Sequence, residues 1–176
     1  MKKLTTLLLV ILLGACSSSG EKIPDKLYYR FPPAQAYSNE GFSGLTISRP
    51  TAMGILANRP MVAETKEGGL IQMNHTFWLE SPKVLLHNYL LNTFANENTD
   101  NTAQHRLQTH ILHLEKKQNT AIIALKFNLY GDDNKLIFNK TYQLSEQLEH
   151  NSMPEFVKSI AHMLNEIIQQ FSEDAL

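Results

Sequence analysis

The chain is poor in cysteine, in charge and in long apolar runs, and each scarcity excludes something. One of its 176 residues is cysteine, Cys16, so no internal disulfide can form and an ordinary core must supply the stability. The lone thiol also rules out Cys-x-x-Cys redox and zinc patterns, and no His-Glu-x-x-His spacing stands in for them. Charged residues make up 19% against 43% hydrophobic, a globular composition, neither disordered nor coiled-coil. Lys plus Arg total 16 and Asp plus Glu 17, a formal net charge of -1. That even balance excludes a nucleic-acid binder whose affinity comes from neutralising phosphates. The longest apolar run, Leu7 to Leu13, falls well short of the roughly 20 residues needed to span a bilayer core of about 30 Å. Gly-x-Ser-x-Gly and Walker patterns are missing too, which speaks against nucleophilic catalysis and nucleotide hydrolysis. Asp132-Asp133-Asn134 has turn composition and lacks the spaced acids of a calcium loop. Seven histidines invite a metal reading, but His110 and His113, three apart on a regular strand, face opposite sides and make a poor chelating pair; His105 does not complete one. No metal, cofactor or catalytic set is expected.

What is present begins with a leader. Met1-Lys2-Lys3 is a short positive segment, Leu7 to Leu13 an apolar one, and Leu13-Gly14-Ala15-Cys16 closes it with small residues before the thiol. This is a signal-peptide pattern that resembles the bacterial lipobox, in which the cysteine becomes the acylated first residue through a thioether. Residues 1–15 are then removed, Cys16 is the lipidation site and residues 16–26 form a tether. Lys plus Arg drops from 16 to 14 against 17 acids, leaving the mature chain near -3. Several acyl chains on one residue exceed the two signals stable membrane anchoring requires. Ser17, where retained lipoproteins usually carry Asp, points to the outer membrane.

The body, residues 27–172, reads as one α+β domain. Strands are expected at Lys26–Phe31, Leu45–Ser48, Met61–Thr65 and Leu70–Asn74, the last two joined through Gly68-Gly69 as a hairpin. Ser81-Pro82 starts a helix running to about Asn96, with Leu86, Leu90 and Phe94 on its apolar line and Leu85 and Tyr89 beside it. Arg106–Glu115, Thr120–Tyr130 and Lys135–Leu144 are successive strands with short turns, which predicts an antiparallel meander. In the middle strand Ala121, Ile123, Leu125, Phe127 and Leu129 share a face; in the last, Leu136, Phe138, Tyr142 and Leu144 do. Ser152-Met153-Pro154-Glu155 opens a second helix with a capping-box pattern. Its apolar line is Phe156, Ile160, Leu164, Ile167 and Phe171, flanked by Val157, Ala161 and Ile168. The expected architecture is a mainly antiparallel sheet of six or seven strands with two amphipathic helices on one face.

The stretch from Gly44 to Pro82 holds Arg49-Pro50 and Arg59-Pro60, a Gly-Gly turn and the only tryptophan, Trp78. Its motifs are Ser43-Gly44-Leu45, Arg49-Pro50-Thr51, Gly54-Ile55-Leu56, Arg59-Pro60-Met61-Val62, Gln72-Met73-Asn74-His75 and Trp78-Leu79-Glu80-Ser81-Pro82. With the early Tyr28-Tyr29 and the lipobox, their order and spacing resemble the ABC-type transport auxiliary lipoprotein family over nearly the whole chain. One departure is plain: the family pattern His-x-Arg-Trp reads His75-Thr76-Phe77-Trp78 here, without the arginine. The resemblance implies a non-enzymatic outer-membrane lipoprotein, facing the periplasm, that docks the MCE-domain protein of an ABC lipid transporter. It also implies the capacity for a homo-oligomeric ring like that of the paraquat-inducible system's auxiliary lipoprotein, and an energy source in another subunit. Partner-contact candidates are Arg49, Pro50, Arg59, Pro60, Met61 and Trp78, since arginine is enriched at interface hot spots and proline pre-orders a loop. Against this stands the plainer reading that the prolines only end strands, the arginines are solvated, and Trp78 with Met53, Ile55, Leu56 and Met61 belongs to the core. Two rival functions remain: a lipid carrier with an apolar cavity of several hundred cubic ångströms between helices and sheet, and a structural envelope-assembly lipoprotein.

Overall fold

A computed structural model of the protein describes residues 24–33, 44–94 and 105–175. The leader, Cys16, most of the tether, the Asn39-Glu40-Gly41 turn and the polar 97–104 loop lie outside the described residues. The elements are β1 (Leu27–Tyr29), β2 (Leu45–Ile47), β3 (Thr51–Ala52), a 3-10 turn (Gly54–Ala57), β4 (Pro60–Glu64), β5 (Leu70–Trp78), α1 (Pro82–Thr93), β6 (His105–Lys117), β7 (Thr120–Tyr130), β8 (Leu136–Gln147) and α2 (Met153–Ala175).

They build an eight-stranded sheet in the order β1-β5-β4-β6-β7-β8, with β2 and β3 also paired to β6. The long β6 is its spine. On one flank it runs antiparallel to β7 along its whole length. On the other it is met in turn by β2, β3 and β4, all parallel to it. The expected antiparallel meander is present in β6-β7-β8, but the sheet as a whole is mixed, since β1 pairs parallel to β5 and β2, β3 and β4 pair parallel to β6, and β3 brings the strands to eight. The two Arg-Pro pairs explain the interrupted flank. Proline has no N–H to give to a ladder, so Arg49-Pro50 breaks β2 from β3 and Arg59-Pro60 restarts the pairing at β4. β3, only two residues long, carries no periodicity that a sequence reading could detect.

Both helices cover one face. On α2, Phe156, Ile160, Leu164, Ile167 and Phe171 are fully buried, as is the β7 stripe Ala121, Ile123, Leu125, Phe127 and Leu129. Apart from Ala121, each such side chain stabilises the fold by about 1.5–3 kcal/mol through burial. Phe127 stacks on Phe171 at 4.6 Å, and Phe94 meets Phe171 edge-on at 6.2 Å, so α1 and α2 share one core. Ser81 precedes α1 without capping it through its hydroxyl, and Pro82 alone sets the start. Ser152 Oγ accepts the Glu155 N–H at 3.4 Å, but the Ser152 N–H goes to the His150 carbonyl, so only half a capping box forms. Leu136 departs from the expected stripe of β8: a register shift pairs it with Tyr130 while Phe138 pairs with Leu129, so it turns to the face away from the helices and is 46% exposed.

Besides that shift between β7 and β8, two bulges change which side chains share a face. In β6 the register shifts between Ile111 and His113, so that His110 faces Lys126 and His113 faces Ala124. Lys126 and Ala124 are two apart and share a side, which places His110 and His113 on the same face, not on opposite ones. Among the described residues no group of three or more His, Cys, Asp and Glu is arranged to hold a metal ion. In β5 the pairing with β4 jumps from Val62–Gln72 to Pro60–Phe77, so Met73–Thr76 leave the ladder opposite Met61 alone.

Candidate functional surface

The family-like segments meet at the β1-β5-β4 end of the sheet. Arg59 and Trp78 are tied through their backbones: the Trp78 N–H donates to the Arg59 carbonyl at 2.7 Å, and Arg59 Nε donates to the Trp78 carbonyl at 3.3 Å. The indole turns inward, 1% exposed, edge-on to Phe31 at 5.1 Å and 6.2 Å from Phe156. Met61 is fully buried and Pro50 is buried. Of the six candidates, Arg49 and Arg59 therefore present exposed side chains and Pro60 a half-buried ring, while Pro50, Met61 and Trp78 hold the surface from beneath. Met53 is 81% exposed, whereas Leu56 belongs to the core.

Strand alternation sends the neighbours of this core layer to the opposite face. Tyr28 pairs with Phe77 in register, and their rings stack at 5.4 Å. The Arg59 guanidinium lies 5.4 Å from the Tyr28 ring and the Lys26 ammonium 5.7 Å from that of Phe77. The result is a row of cation, aromatic, aromatic and cation on the face away from the helices. Cation–aromatic contacts at exposed sites are worth about 0.5–1 kcal/mol, enough to fix a guanidinium in place without removing it from a partner. Position 77, where the family pattern carries arginine, holds a ring sandwiched in this row, and the positive charge comes from Lys26 and Arg59 instead. The sequence reading missed Lys26, Tyr28 and Phe77; the period-two placement of Tyr28 opposite the half-buried Tyr29 was the available signal. Beside the row sits the β5 bulge with the Gln72-Met73-Asn74-His75 motif, and His75 Nδ1 is buried there with no hydrogen-bond partner.

Chemically the surface can bind but offers no reacting group: two cations, two rings and backbone edges. The enclosed space between α1 and the sheet, lined by Phe31, Leu86, Ile111, Leu114, Ile123 and Leu125, is about 10 Å³. That is room for about one water, far from what a lipid inside that part of the core requires. No helix among the described residues is long and apolar enough to cross a membrane.

A mixed sheet sealed by helices on one side and bearing a cationic aromatic surface on the other defines a single domain of α+β class. The chain belongs to the family of ABC-type transport auxiliary lipoprotein components, whose pattern it matches over residues 29–172. No curated protein matches it. Among solved structures, an uncharacterised protein is similar with a TM-score of 0.73 at 15% identity, covering 87% of this chain and all of its own. A Xanthomonas campestris protein of the family DUF330 is similar with a TM-score of 0.65 at 14% identity, covering 84% of this chain and 99% of its own. At such identities the likeness extends to the fold.

Proposed function

We propose that this protein is a non-enzymatic, lipid-anchored subunit that docks the MCE-domain component of an ABC lipid transporter to the outer membrane. Cys16 carries the anchor, the domain faces the periplasm, and the partner meets the Arg59–Tyr28–Phe77–Lys26 row, with Arg49 further along the same flank of β6. The observation that carries this reading is the cation–aromatic row itself. Tyrosine and arginine are enriched at interface hot spots, and here Arg59 is held by the Trp78 carbonyl and Tyr28 by its strand pairing and ring stack with Phe77 before any partner arrives. Preorganisation lowers the ordering cost of association. The role is positional: one end of a lipid path is fixed at the membrane, and energy comes from the ATPase elsewhere in the system. The carrier reading is disfavoured by the small size of the space beneath α1.

The test is a mild-detergent pull-down of the C-terminally tagged protein from its own host, followed by mass spectrometry. Recovery of an MCE-domain protein is expected, with Arg59→Ala weakening capture about tenfold or more while the protein stays folded, its urea midpoint lowered only by the loss of the Trp78 and Tyr28 contacts. A protein recovered with no transport subunit would sink the docking role; undiminished capture by Arg59→Ala and Arg49→Ala would move the interface elsewhere.

A further inference from the structure

On the flank of β6 where β3 stops and β4 has not begun, no described strand covers the bulge. Pairing ends at Ala52–Ile111 and resumes at Val62–Glu115. The bulge turns Leu112 outward, 38% exposed, and an open groove of about 200 Å³ forms between Thr51, Met53, His110, Leu112 and Lys126. One wall is apolar, from Met53 and Leu112. The other is polar and carries a cation, Lys126, that no carboxylate among the described residues pairs with.

The polar wall is the end of a hydrogen-bonded chain that crosses four strands. Asn139 Nδ2 donates to Asn128 Oδ1, and Asn128 Nδ2 donates to His110 Nε2 at 3.2 Å. With Nε2 accepting, the imidazole proton resides on Nδ1 and is given to Thr51 Oγ1 at 2.6 Å. The Thr51 hydroxyl thereby accepts from within the protein, and its own proton has no acceptor among the described residues. Every link points the same way, so the chain ends in an O–H donor at the groove beside the Lys126 ammonium. Arg49 adds a second cation: its side chain and that of Thr51 are exposed on either side of buried Pro50, roughly 6.5 Å apart along the extended backbone.

A hydroxyl donor, an ammonium and no acid select an anionic oxygen group; the adjoining methionine and leucine select alkyl carbon. A volume of about 200 Å³ is below the ~300–1,000 Å³ that encloses a drug-sized ligand, so the groove takes a head and a few methylenes, not a whole lipid. We infer that this groove is a binding site for the phosphate-bearing head of an anionic amphiphile, held by Thr51 and Lys126 with its first methylenes against Met53 and Leu112. The inference stands independently of docking through Arg59, whose side chain is not among the residues that line the groove.

The test uses the full lipidated chain in dodecyl maltoside, labelled with carbon-13 at its methionine methyls, the Met53 signal being assigned with Met53→Leu. Dodecyl phosphate is titrated in, and a saturable shift confined to Met53 is expected. Lys126→Gln and Thr51→Val should each weaken that saturation by about tenfold, while the signals of buried Met61 and Met163 stay in place and certify the fold. A Met53 shift that never saturates, or that survives both substitutions, overturns the site. Inorganic phosphate is the second probe: saturation at the same concentration would overturn the amphiphile in favour of free phosphate, and a far weaker response supports the alkyl contact.

Discussion

The side chain of Asp174 shows how a single residue closes the end of α2 onto the sheet. Its carboxylate accepts from Lys140 Nζ at 2.5 Å and from the Tyr142 hydroxyl at 2.7 Å. The Lys140 bond first, and the Tyr142 bond after it, hold the Asp174 carboxyl below its ordinary value of 3.8. Burial, reinforced by the same carboxylate, pushes the Tyr142 phenol well above its usual range. A carboxyl depressed in the folded state contributes stability above its unfolded pKa, and that contribution is lost as the pH falls through the folded value. The wild-type and Asp174→Asn proteins should therefore differ in urea midpoint at neutral pH and converge as acid takes the solution below 3.8. A gap of constant size down to the acid unfolding limit would show that the pair contributes only packing. Trp78 makes the opposite point at the same scale. Trp78 is a partner-contact candidate whose plainer reading is a core residue; its indole lies in the core, and what its position gives the surface is a backbone carbonyl for Arg59.

Among the elements, the β6-β7 hairpin carries a local conflict that can be measured. Gln118 and Asn119 form its two-residue loop between the Lys117–Thr120 pair, and Gln118 sits at φ 51°. The first central position of such a loop favours glycine when φ is positive, because a side chain in the left-handed region costs about 1–2 kcal/mol. Against this, glycine gains freedom in the unfolded chain worth about 0.4–1 kcal/mol, so Gln118→Gly should stabilise by about 0.5–1 kcal/mol in urea unfolding. The Gln118 carbonyl that accepts from the Lys116 ammonium is backbone and survives the change. That ammonium needs it, since burial lowers its pKa below the ordinary lysine value. A loss of stability would mean that the Gln118 side chain does more than fill a turn. Elements whose periodicity runs unbroken were legible in the sequence: β7 and α2 bury the residues their patterns named. What escaped was whatever breaks period or is too short to have one. β3 spans two residues, parallel pairing leaves no hairpin signal between neighbours, and each bulge reverses the parity on which face assignments rest. A regular strand would part His110 from His113, and the bulge alone puts them on one face of the sheet. The groove at the β6 bulge was illegible for the same cause, while the Arg-Pro breaks that border it were visible at once.

At the level of the whole molecule, the proposed anchor and the proposed binding surfaces are separate, and their separation sets a geometric limit. Eight residue steps separate the proposed lipidation site, Cys16, from Pro24, where the described residues begin. A fully extended chain covers at most about 3.6 Å per residue, so the domain is held within about 30 Å of the membrane that receives the acyl chains. The helix-covered face is sealed, with the apolar line of α2 entirely buried. The opposite face carries both the cation–aromatic row and the groove, so a tethered domain can turn that one face to a partner or to the lipid surface. If the anchor acts only by confinement, Cys16→Ser expressed behind an ordinary cleavable secretory leader in place of residues 1–15 should release the protein from the membrane fraction into the soluble periplasm. The released form should keep the wild-type urea midpoint and still capture the MCE-domain partner in the pull-down, because neither surface includes residue 16. A Cys16→Ser protein that stayed with the membrane would reveal a second attachment. One that left the membrane folded but lost its partner would mean that lipid and protein recognition depend on each other, with the bilayer forming part of the docking site.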